Sequence, residues 1–214
     1  MATRNSGDAV GGDTETAEGI SPGAPVSKRP ARDRIFETAR ELFYQHGIRA
    51  VGVETIASEA DATKMTLYRN FPSKDELVAE VLREQEREYW AWWESVTACC
   101  CAEPRAQLEA IFDAFETKAC NADVLGCPLS NAAIELHEEN HPAQVVSVNY
   151  KKELYRRINA LTRAAGAKDD DLADSLMLLM EGASGARVTL GAGGPVKAVA
   201  RSAKALIKFH LDGC

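Results

Sequence analysis

The chain has no apolar run approaching the roughly 18 to 20 residues that a membrane-spanning helix needs. Its opening stretch, MATRNSGDAVGGDTETAEGISPGAPVSKRP, lacks the apolar segment of a secretion signal. A cytoplasmic protein with no membrane partner is the expectation. The alternation of apolar and polar residues that marks strands is missing, and no internal repeat is visible. None of the six cysteines, Cys99, Cys100, Cys101, Cys120, Cys127 and Cys214, forms a C-x-x-C pair, which removes zinc-ribbon and thioredoxin spacings. Reduced, buried thiols are expected. A thiol-sensing role for Cys99 to Cys101 is the alternative, although neighbouring helical residues point in different directions and cannot all reach one ion.

Positive charge is also in short supply, with a net charge of -7 that argues at first against a nucleic-acid partner. The average hides an uneven distribution. Residues 28–75 carry nine Lys/Arg against seven Asp/Glu, whereas residues 76–214 carry 15 against 21. A phosphate-binding surface therefore has to lie in the front segment. Residues 1–27 are rich in Gly, Ser, Thr, Pro and acidic residues, cannot bury enough apolar area to offset ordering entropy, and are expected to form a disordered tail.

What is present reads almost entirely as helix. From Arg32 to His46, Ile35, Ala39, Leu42 and Phe43 recur at i, i+4, i+7 and i+8, with Gly47 as a stop. Val53 to Ala60 makes a short second helix, and the turn that follows leads to a third capped by Thr63 and ended by Phe71, because Pro72 disfavours helical geometry before it. Ser73 and Glu76 form a capping box that opens a long fourth helix. Leu77, Val81, Gln85, Tyr89, Trp92 and Val96 lie along its stripe. Further helices are expected at 104–121, 128–138, 142–165, 169–190 and 195–211, separated by prolines and glycines. The fold class is all-α: a three-helix unit over residues 28–75, then a larger helical domain over 76–214, about nine helices in total.

The third helix is short for its polar load. Two helices of about eight residues with a tight turn between them, behind one of about 15, form the pattern of a helix-turn-helix reader. At 3.6 residues per turn Leu67 and Phe71 lie about 40° apart and define a buried side, with Met65 and Arg69 almost opposite. A helix laid in a major groove needs that division. Arg69 is the expected base reader, as a bidentate donor to guanine, with Lys64 beside it and Met65 offering apolar contact. Thr66, Tyr68 and Asn70 would position the helix, and Lys74 would add charge at the next helix N-terminus.

The run TLYRNFPSKDEL, together with RIFETARELFYQHG and VETIASEAD upstream, resembles the DNA-binding domain of the TetR family of transcriptional repressors over about residues 32–77. The resemblance implies that Lys64, Met65 and Arg69 fall where bases are contacted, and that Thr55, Thr63, Thr66, Tyr68, Asn70 and Lys74 fall where the DNA backbone is contacted. It further implies a homodimeric repressor that reads a roughly palindromic operator and is released by a small molecule. Asp61 stands where the family usually has Gly, a substitution that left-handed geometry tolerates. Met65 and Arg69 replace commoner Gly and His, so the chain's own DNA preference should lie there.

For the large domain the resemblance implies an effector pocket among the fourth to eighth helices. Trp93, Phe112, Phe115, Asn131 and Met177 are the candidate lining for an apolar or amphipathic molecule. Gly182, Ala183 and Ala186 would admit a close helix, and Val199, Ala203, Leu206 and Ile207 form a stripe on the last helix. These two surfaces are the expected dimer interface. One motif points elsewhere. His137-Glu138-Glu139-Asn140-His141 is a literal H-E-x-x-H, the spacing of a zinc hydrolase. Pro142 pushes His141 towards extended geometry and off the face of His137, so no metal, catalytic residue or cofactor is assigned.

Overall fold

The structure is a computed structural model and describes residues 29–98, 100, 102–138 and 140–213. The tail reading for residues 1–27, and anything resting on Cys99, Cys101, Glu139 or Cys214, lies outside them. The described chain is all-helical: α1 (Ala31–His46), α2 (Val53–Glu59), α3 (Lys64–Asn70), α4 (Lys74–Ala98), α5 (Pro104–Ala119), α6 (Pro128–Glu135), α7 (Pro142–Ala164), α8 (Asp171–Leu190) and α9 (Val199–Asp212), with a 3-10 turn at Pro195–Ala198. None of these helices is long and apolar enough to cross a membrane.

Local chemistry sets the boundaries. In α1 the Ile35, Ala39 and Phe43 stripe is buried. The helix stops at Gly47, whose φ of +84° and N–H bond to the Phe43 carbonyl suit a residue without a β-carbon. The Thr63 hydroxyl accepts the Thr66 N–H at 3.1 Å and caps α3, and Ser73 accepts the Glu76 N–H at 3.1 Å to start α4. Of the capping box this half is made, while the Glu76 carboxylate faces Arg83 at 4.0 Å.

The apolar faces meet in one continuous core that runs from Ile35 in α1 to Ile207 in α9. Helix α4 passes through both parts: Leu77, Val78, Val81 and Leu82 are buried at one end and Trp93 at the other, and α4 packs on α1, α5, α6 and α7. Helices α8 and α9 pack on each other, and α9 also lies along α5.

The last helix corrects an expectation. Val199, Ala203 and Ile207 are at most 2% exposed, and Ala183 on α8 is buried as well. The stripe of Val199, Ala203 and Ile207 is used within the chain, where α9 packs on α5 and α8. Gly182 is exposed, and Ala186 and Leu206 are half-buried. They stay on the outside with Leu178 (73% exposed) and Phe209 (59%).

Candidate nucleic-acid interface and candidate effector pocket

Leu67 and Phe71 are fully buried and fasten α3 to the core, while Met65 is 82% exposed on the far side. The turn between α2 and α3 is held from beneath. Arg34 on α1 donates to the carbonyls of Ala60 (3.0 Å), Asp61 (2.7 Å) and Arg29 (2.7 Å). Asp61 takes a φ of +49°, the left-handed turn geometry that glycine more commonly supplies. Arg34 carries no sequence signal of this role, because its two partners in the turn lie 26 and 27 residues away.

The exposed polar residues of this face are not equally available. Arg69 and Tyr68 are exposed, and Thr55 is exposed on α2. Lys64 is ion-paired with Glu54, which sets the first turn of α2 beside the first turn of α3. The Lys64 ammonium draws the Glu54 carboxyl below its usual range. Asn70 donates to the Thr66 carbonyl at 2.8 Å, and the Thr63 and Thr66 hydroxyls lie 2.9 Å apart, so three of the expected backbone-contact residues are partly occupied inside the helix. Lys74 is half-buried, donates to the Ile48 carbonyl and lies 5.9 Å over the Phe43 ring. Burial lowers its ammonium below the usual lysine range. It braces the loop after α1.

In the large domain, α4, α5, α7, α8 and the start of α6 line a cavity of about 80 Å³ that opens to solvent. Its wall is aromatic: Tyr89 and Tyr150 meet edge to face with centroids 5.1 Å apart, and Trp92 lies 5.1 Å from Tyr89. Burial pushes both tyrosine hydroxyls well above the usual phenol range. Of the five residues expected to line it, Phe115 does. Phe112 and Trp93 are core residues, and Met177 packs half-buried against that core. Asn131 lines an adjoining cleft and spends its amide on the Leu125 carbonyl at 2.8 Å. Tyr89, Trp92, Cys127, Tyr150, Lys151, Met180, Glu181 and Arg187 line the cavity without having been singled out for it. Tyr89 and Trp92 sit on the apolar stripe read from the sequence, but a stripe does not tell a core from a cavity.

Both ends of the segment from Leu125 to Glu135 are tied to the front helices. The Tyr44 hydroxyl on α1 donates to the Gly126 carbonyl (3.3 Å) and accepts the Leu125 N–H (2.6 Å). Glu135, the last residue of α6, accepts the N–H groups of Ile48 (2.9 Å) and Arg49 (2.6 Å) in the loop after α1. Arg49 reaches back to the Glu135 carbonyl at 2.9 Å and to the Glu138 carboxylate. Helix α6 therefore begins at the cavity, with Pro128 in its wall, and ends on the helix-turn-helix unit.

The zinc motif is taken apart by the fold. His137 is exposed beyond the end of α6, whereas His141 caps α7, accepting the Ala143 N–H on Nδ1 at 3.1 Å and facing Asp75 through Nε2 at 3.4 Å. Among the described residues no cluster of His, Cys, Asp and Glu is placed to hold a metal. Of the cysteine triplet only Cys100 is described, and it is a free, half-buried thiol.

Residues 35–81 match the family described as bacterial regulatory proteins, tetR family. An HTH-type transcriptional repressor of Mycolicibacterium smegmatis, KstR2, is 34% identical over 65 residues, which cover 30% of this chain and 32% of that repressor. The chain spans less than two thirds of the length of the curated relatives it matches. Solved structures match over more of the chain. A tetR-type transcriptional regulator from Streptomyces avermitilis is 31% identical with a TM-score of 0.75, over 85% of this chain and 98% of that one. A transcriptional regulator from Saccharomonospora viridis, solved in complex with choline, shares the fold at 22% identity and a TM-score of 0.71, over 83% of this chain and 95% of that one. The helix-turn-helix at the front, the all-helical domain behind it and the near-complete match at 31% identity make this chain a member of the TetR family of transcriptional regulators.

Proposed function

We propose that this regulator is a homodimeric repressor: residues 28–75 read the operator, and residues 76–214 bind a small-molecule effector and pair two copies. The observation that carries the reading is the polarity of α3, with Leu67 and Phe71 buried beneath an outward Met65 and Arg69. Arg69 reads a base, Met65 adds apolar contact, and Lys64 joins them once phosphate competes with Glu54 for its charge. Thr55, Thr63, Thr66, Tyr68 and Asn70 position the helix on the backbone. Lys74 acts through the loop it braces.

For dimerisation the outer face of α8 and α9 supports pairing through Leu178, Gly182, Ala186, Leu206 and Phe209. A two-fold pair reads two half-sites in a roughly palindromic operator. Release follows from α6. At about 1.5 Å rise per residue its eight residues span roughly 12 Å, from cavity wall to the loop after α1. An effector that moves the Gly126–Pro128 end shifts Glu135 at the other end. It releases DNA only to the extent that it favours the DNA-incompetent arrangement. The test is operator binding measured by anisotropy, on a sequence selected from random DNA. Loss of binding on adding a compound that raises the thermal midpoint supports the reading, and unchanged binding for every such compound refutes release.

A further inference from the structure

The charges around the cavity define what it can hold, and this inference rests on the cavity being the effector site. Glu181 is the acidic residue of its wall, and it is already used: it pairs with Lys151 and accepts the Ser130 hydroxyl at 3.2 Å. Two cations of the same wall have no such partner. Arg187 is 6% exposed and donates only to backbone carbonyls, those of Ala119 (3.0 Å), Asn121 (3.0 Å) and Ala122 (2.8 Å). Lys118, one residue from that first carbonyl, is exposed at the rim with its ammonium 5.6 Å over the Trp92 ring. Among the described residues no carboxylate lies within ion-pair distance of either.

A buried guanidinium that spends three hydrogen bonds on carbonyls and meets no carboxylate leaves a positive potential in a poorly solvated space. Two of the four aromatic rings of the wall already carry a cation, Trp92 that of Lys118 and Tyr150 the Lys151 ammonium at 5.2 Å, which leaves Tyr89 and Phe115 as apolar surface. Glu37 and Glu41 of α1 and Glu88 of α4 line the adjoining outer cleft, which Lys118 also borders; all three are exposed to water, and Glu88 is paired with Arg40. We infer that the pocket takes an amphipathic monocarboxylate, its apolar body against Tyr89, Phe115, Tyr150 and Met180 and its carboxylate at Lys118, with Arg187 supplying the field behind. A quaternary ammonium such as choline meets the wrong sign of charge here.

The test is isothermal titration of the full-length protein with 4-phenylbutyrate and with decanoate, each beside its neutral amide and its amine. The acids are expected to bind about tenfold more tightly than the amides, and the amines most weakly. In Lys118→Gln the acids should fall to the level of their amides, with the ligand-free thermal midpoint as a control for folding. An amine that binds as well as its acid overturns the assigned charge class. An acid preference that survives Lys118→Gln overturns the role of Lys118. If no compound of either series binds, the cavity itself fails as an effector site, an outcome distinct from the other two.

Discussion

Replacing Glu135 by Gln should loosen the helix-turn-helix unit from the large domain without touching either the cavity or the DNA face. The carboxylate accepts two backbone N–H groups, from Ile48 at 2.9 Å and Arg49 at 2.6 Å, the first part-buried and the second exposed. Charge-assisted bonds contribute about 1.5–3 kcal/mol when buried and less in water, so the pair is worth roughly 2 kcal/mol. Gln keeps one carbonyl acceptor and loses the charge, which leaves a loss of about 1 kcal/mol; Ala loses about 2. In a chain of this size the thermal midpoint should fall by about 2–4 °C for Gln and roughly twice that for Ala. The more specific readout is amide hydrogen exchange. Ile48 and Arg49 should lose protection about fivefold in Gln and about thirtyfold in Ala, while α3 amides keep theirs. Coupling energies between sites are typically about 1–3 kcal/mol, so the Ala variant should also lose most of its effector response. Unchanged exchange at Ile48 and Arg49 in Glu135→Ala would refute the reasoning.

Glu54→Gln frees the Lys64 ammonium, and the salt dependence of binding to random DNA should steepen by about one unit; an unchanged slope means that Lys64 does not reach phosphate. Gly126→Ala places a β-carbon 2.6 Å from the Val188 methyl and 3.2 Å from the Ser184 carbonyl, at a φ of +78°. A destabilisation of about 2–4 kcal/mol is expected by denaturant unfolding, and a value under 1 would show that the loop shifts freely. Leu178→Asp and Phe209→Asp should each yield a folded monomer by light scattering, whereas Ile207→Asp should fail to fold. Dimers persisting in both surface variants would place the interface elsewhere.

The elements that local chemistry specifies could be read directly. Thr63 and Pro72 bracket α3, Gly47 ends α1, and the period of Leu67 and Phe71 identifies the buried side of the reading helix. The turn at Asp61 also followed from what that side chain tolerates. The cavity could not be read this way, because an apolar side chain facing a void and one facing a packed neighbour leave the same periodic signature. Trp92 and Trp93 are adjacent, yet the first lines the cavity and the second is core. The same ambiguity turned the α9 stripe around, since Val199, Ala203 and Ile207 are equally suited to a partner helix or to α5 and α8. The long-range fasteners, Arg34 to Ala60, Tyr44 to Gly126 and Glu135 to Ile48, join residues 26, 82 and 87 positions apart. No local spacing encodes them.

The central claim is that the Met65 and Arg69 face of α3 reads DNA. The measurement that tests it most directly is selection of bound fragments from random DNA by the wild-type chain and by Arg69→Ala. The account predicts a palindromic motif for wild type and, for Arg69→Ala, relaxed preference at one guanine in each half-site, at a cost of about 1–3 kcal/mol on the wild-type operator. Equal losses on cognate and random DNA, or an identical motif from both proteins, would contradict it.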